Sequence, residues 1–145
     1  MTKQFPQPKD RSCALASADP TRVRRAVLAG VGEARNRPEG GDGLTNAVGL
    51  AAEASRSAAQ DVGSAAALDS IDMIAMMVGS DDVADPAGAL RTALGLGSAS
   101  TMVAAIGVPQ QRLVSNAILA VEIGEADAVL VVGSEAKASA LSAKR

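Results

Sequence analysis

A chain of 145 residues with a net charge of −2 has room for one domain around a single core. One Phe, no Tyr, no Trp and no basic stripe argue against nucleic-acid binding, and no apolar run reaches the length of a membrane span. A single cysteine and an N-terminal segment without a sustained apolar run point to a cytoplasmic protein with no internal disulfide.

Residues 1–21 are polar, contain Pro6, Pro8 and Pro20, and read as a flexible tail. Residues 22–136 read as one domain, and residues 137–145 as a C-terminal tail too short and polar to add a layer. Within the domain, Val23–Gly32 is a strand with a Gly-x-Gly exit, followed by a loop over Asn36–Gly43. The spacing then predicts a helix over Thr45–Val62, with Leu50, Ala54, Ala58 and Val62 on one i, i+4 row and Gly63 as its stop.

Ile71–Val78 is a nearly continuous apolar run of strand length, the pattern of a strand covered on both faces. Asp85 as N-cap and Pro86 at the first helical position open a helix that Gly95 or Gly97 ends. Ser100–Ile106 is a further strand. The helix from Pro109 to Ile123 is predicted to bury Leu113, Val114, Ala117, Ile118 and Val121, and Asp127–Gly133 is the last strand. Strands alternating with helices give an α/β fold, a mostly parallel sheet with helices on both faces.

Chemistry-bearing residues are sparse. Gly30 and Gly32 lack the third glycine of a dinucleotide fingerprint, because Arg35 occupies that place. Cys13 lies in the tail, and Asp81, Asp82 and Asp85 are spaced poorly for a hard cation. The chain contains no histidine, so no Ser-His or Cys-His pair and no His-ligated metal can form within it.

Ala104–Ala136 resembles the N-terminal half of the thiolase superfamily. In that family a reactive Cys opens a helix, the helix runs to a Gly-Glu-x-Asp link, and a buried strand ends in Gly-x-Glu. Gly124-Glu125-Ala126-Asp127 and Gly133-Ser134-Glu135 match the second and third parts. Ile106-Gly107-Val108-Pro109-Gln110-Gln111 is similar in part to the turn of the acetyl-CoA acetyltransferase-like, sterol-carrier-type subgroup. The resemblance extends from about Val23 to Ala136, including Ile71-Asp72 in the strand that opens with them.

The resemblance implies a thiolase-like layered half-domain and an acyltransferase acting on acyl-CoA thioesters in lipid metabolism, with acyl-CoA as substrate and no cofactor. It places Gly107 at the nucleophile's position, so no catalytic residue carries over. Gly107, Val108 and Gln111 are the candidate substrate-binding residues. The family's histidine and second cysteine belong to a C-terminal half with no counterpart here, and the resemblance therefore implies an N-terminal fragment inactive alone. The alternative is a non-catalytic partner subunit that completes another chain's site. Either way the half needs a mate: its C-terminal half, or a second chain in a homo- or hetero-dimer.

A helix starting at Pro109 leaves its first N–H groups without a capping side chain, since Gly107 and Val108 have no side-chain oxygen. Such a start attracts an anion or a thioester oxygen, or is capped by solvent; both readings stand.

Overall fold

The computed structural model describes residues 24–36, 45–77, 79, 83–104 and 110–142. Its regular elements follow in the order α1 (Ala47–Asp61), a 3-10 helix (Ala65–Ser70), β1 (Met73–Met77), α2 (Pro86–Leu94), β2 (Ser100–Ala104), α3 (Gln110–Glu122), β3 (Val129–Gly133) and α4 (Lys137–Ser142). The three strands form a parallel sheet in the order β2-β1-β3. Met73 lies opposite Ser100 on one side and Val129 on the other, and Met77 opposite Ala104 and Gly133.

The sheet is the middle of three layers. Side chains of a strand alternate between faces. Ile74, Met76 and Val132 therefore pack with Ala51 and Ala52 of α1 and Ala87 and Leu90 of α2. Met73 packs with Ala120 and Ala126 on the opposite face, and Ala75 with Ala104 and Leu113, which puts α3 there. The α/β architecture with helices on both faces is thus as the sequence implies. Much of the buried apolar set is alanine, and among the described residues only Ile74, Met76 and Leu90 are large apolar side chains that are fully buried. Small side chains bury little area each, so cohesion depends on close approach of backbones.

Local signals place the helix ends. Asn46 Oδ1 accepts the Gly49 N–H at 2.8 Å, and Asp85 Oδ1 accepts the Gly88 N–H at 2.8 Å with Pro86 following it. Gly63, Gly95 and Gly124 follow α1, α2 and α3 with φ of 88°, 73° and 78°, the left-handed conformation that ends a helix.

Four expectations need correction. Arg24–Asn36 contains no strand. This segment lies instead against α1, where a Cβ on Gly30 would come within 2.6 Å of the Ala58 carbonyl oxygen, and one on Gly32 within 2.3 Å of the Ala54 carbonyl oxygen. Its anchors are side chains rather than a ladder: Arg24 pairs with Asp127, and the Val31 N–H donates to Asp61 Oδ2 at 2.9 Å. Val27 and Leu28 are left exposed.

Secondly, the buried row of α1 is Ala51, Ser55 and Ala59, one residue along from the predicted Leu50, Ala54, Ala58 and Val62. Ala54, Ala58 and Val62 are occupied by the glycine segment. Ser55 is tolerated in the core because its Oγ donates to the Ala51 carbonyl at 2.7 Å. Thirdly, α3 buries Leu113, Ala117 and Ala120, while Val114 and Ile118 are exposed and Val121 is half-buried. Fourthly, residues 137–142, read as tail, form α4, which Ser139 ties to the start of α1 by donating its Oγ–H to the Thr45 carbonyl at 2.7 Å. No helix among the described residues is long and apolar enough to cross a membrane.

Candidate functional site

Parallel strands all end on the same side of a sheet, and open α/β folds bind ligands there. A cavity of about 150 Å³ lies at this place, lined by Met77 from the end of β1, Val131, Val132 and Gly133 from β3, and Gln110, Leu113 and Val114 from the first turns of α3. Its walls are apolar apart from Gln110. β3 reaches it with Val132 buried and Val131 exposed, and Gly133 closes the strand opposite Met77.

Two further features meet at this end. The Ser134 Oγ is buried and has no hydrogen-bond partner among the described residues. Gly79, two residues past β1, lies so close that a Cβ there would sit 2.8 Å from the Ser134 carbonyl oxygen. The chain beyond β1 and the chain beyond β3 are therefore in backbone contact, and the Gly133-Ser134-Glu135 stretch is held there. Glu135 itself pairs with Lys137 at 3.3 Å.

Of the sequence-derived substrate-binding residues, Gln111 is exposed on the first turn of α3, beside Gln110. Gly107 and Val108 lie outside the described residues, as do Cys13, Asp81 and Asp82. Asp85 caps α2. Among the described residues no three acidic, cysteine or histidine side chains gather as metal ligands.

The sequence reading missed Met77, Gln110, Leu113, Val114, Val131 and Val132 as site residues. Their signal was positional, as ends of predicted strands and the start of a predicted helix, and not chemical. The lining can hold a ligand through the Gln110 amide and apolar walls. The described residues include no thiol and no imidazole.

No protein-family model and no curated protein sequence matches the chain. Among solved structures, the chain is similar to a monomeric SCP2-thiolase-like protein type 1 from Mycobacterium smegmatis, with 28% identity and a TM-score of 0.57. The similarity covers 75% of this chain and 23% of that one, so the chain spans well under a third of the structure it matches. The fold is thiolase-like.

Proposed function

We propose that this chain is the acyl-CoA-handling N-terminal half of a thiolase-like protein of the acetyl-CoA acetyltransferase-like, sterol-carrier-type subgroup, and that it binds thioesters without reacting with them by itself. What carries the reading is the similarity to an SCP2-thiolase-like structure over 75% of the chain. The matching Gly124–Asp127 link and Gly133–Glu135 strand end support it. So does the position of the apolar cavity, between the start of α3 and the end of β3.

The absence of chemistry rests on residue types. Acyl transfer of the thiolase kind needs a thiolate and a base. The chain has no histidine, and its one cysteine, Cys13, is far in sequence from the turn before α3. Gly107 stands where the resemblance puts the nucleophile. The residual role is to present backbone N–H groups and the Gln110 and Gln111 amides to a thioester carbonyl.

Equilibrium dialysis of the purified chain against acetyl-CoA tests this. Saturable binding that free coenzyme A competes for supports the reading. No binding at millimolar acetyl-CoA contradicts it.

A second reading, the non-catalytic partner subunit, is favoured by one observation. Val114, Ile118 and Leu119 on α3 and Ile123 just after it are apolar yet exposed, at 40%, 42%, 52% and 64%. These exposed apolar side chains flank the polar Gln111, Ser115 and Glu122, a mixed surface of the kind a partner covers.

A further inference from the structure

We infer that the cavity between β3 and α3 is a sized pocket, held open by Gly133, for an alkyl chain of about four to six carbons. This rests on the thioester reading and deepens it: the acyl group favoured is a short saturated chain longer than acetyl.

Gly133 carries the inference. Glycine weakens a strand, and where it stands in one it commonly marks a bulge, a close backbone or the approach of a ligand. The first two do not apply. The register of β3 with β1 is unbroken from Met73–Val129 to Met77–Gly133, so there is no bulge. The φ of Gly133 lies outside the left-handed region that favours glycine. Among the described residues, a Cβ on Gly133 would meet only the Met77 Cβ, at 3.9 Å, an ordinary contact, and no backbone of another element lies within 4 Å. A larger residue would therefore fit the strand. Its side chain would share a face with Val131 and stand in the cavity that both line.

The walls define the occupant. Leu113 and Val132 are buried, Met77 is half-buried, and Gln110, Val114 and Val131 are exposed at the rim. Gln110 is the only polar side chain in the lining, whereas a bound water needs about two to four polar partners, so an apolar group is the better occupant. The volume is about 150 Å³, and an apolar cavity of that size can hold one six-carbon ring. An acetyl methyl would leave most of these walls uncovered. Each further methylene buried strengthens binding about fourfold, until the chain emerges past the rim. With the tail inside, the Gln110 amide can donate to the thioester carbonyl oxygen.

Equilibrium dialysis of the native chain against acetyl-, butyryl-, hexanoyl- and decanoyl-CoA tests the proposal. The dissociation constant is expected to fall at least about tenfold from acetyl to hexanoyl, and to change less than about twofold from hexanoyl to decanoyl. Gly133→Ala and Gly133→Val fill the cavity stepwise. Hexanoyl-CoA is expected to lose its advantage in part with the first and wholly with the second, at unchanged far-UV circular dichroism. Gly133→Ala, whose Cβ makes only the 3.9 Å contact, reads the same effect if the larger variant misfolds. Equal affinity for acetyl- and hexanoyl-CoA overturns the proposal. So does affinity that rises undiminished to decanoyl-CoA, or a folded variant that keeps the whole hexanoyl preference. 1-Hexanol, the tail without the coenzyme, separates the two ideas, read through the methyl NMR resonances of Met77, Leu113 and Val131. Resonances shifted by hexanol with no binding of any acyl-CoA sink only the thioester reading. Acyl-CoA esters that bind alike, with hexanol shifting nothing, sink only the pocket, and binding of neither sinks both.

Discussion

The carboxylate of Asp72, just before β1, accepts the backbone N–H of Asp127, just before β3, through Oδ2 at 2.8 Å. The same oxygen also accepts the Ala128 N–H at 3.3 Å, and the Asp72 carbonyl accepts the Ser100 N–H at 2.8 Å. One residue therefore aligns the starts of all three strands. Hydrogen bonds to a charged acceptor contribute more than neutral ones, though Asp72 is only half-buried. Asp72→Ala is expected to lower stability by about 1–2 kcal/mol in urea unfolding, and Asp72→Asn by less, because one amide oxygen remains to accept.

Gly30 and Gly32 make the second prediction. Each rests on α1 at a distance where a Cβ would overlap helix backbone, which cannot swing aside as a side-chain tip can. Gly32→Ala is expected to release residues 24–36 from α1 and cost about 1–3 kcal/mol. Limited proteolysis would show new cleavage in that segment. Gly97→Ala, at an exposed site with open space around it, is the control and should leave both readouts unchanged.

The alanine-rich core concentrates stability in a few larger side chains. Ile74 is fully buried at the centre of the sheet between β2 and β3. Ile74→Ala is expected to cost about 3 kcal/mol, since it empties the middle of a cluster shared with Met76, Leu90 and Val132. Val27→Ala, at an exposed position, should cost less than about 0.5 kcal/mol. Equal losses would show that residues 24–36 are packed as a core strand.

Gly107→Cys in a Cys13→Ser background tests the turn before α3. The resemblance puts a nucleophile there, and a helix start lowers the pKa of a thiol placed on it. Alkylation by iodoacetamide at neutral pH is expected to run several-fold faster than that of free cysteine, because more of the thiol is thiolate. Turnover of acetoacetyl-CoA should remain absent, since no imidazole is supplied. Alkylation at the rate of free cysteine would count against an electropositive helix start.

The sequence made the strand positions legible where apolar residues run continuously. Ile71–Val78 and Asp127–Gly133 are such runs, and β1 and β3 fall inside them, though only β1 is buried on both faces while β3 leaves Val131 exposed. Caps were equally legible, because Asp85-Pro86 and the Gly63 and Gly95 stops act through local geometry. The segment Val23–Gly32 misled because β-type residues report only the capacity to pair. Its described part, from Arg24, is drawn against α1 by two glycines whose packing role has no periodicity. On α3, apolar spacing marked the residues that seek burial but not which of them this chain buries. Val114 and Ile118 satisfy the pattern and are left exposed, Val114 in the wall of the cavity. The cavity was illegible in detail because its lining is ordinary apolar side chains set by the ends of elements.

Intact-mass spectrometry of the purified chain after incubation with acetyl-CoA, with free coenzyme A thiol measured in parallel, decides between a binder and an enzyme. The expected result is unmodified mass, no release of coenzyme A above the buffer rate, and saturable binding of acetyl-CoA in dialysis. A stoichiometric acetyl adduct on the wild-type chain that survives Cys13→Ser, or turnover of coenzyme A, would contradict a thiolase-like half that binds thioesters without a nucleophile.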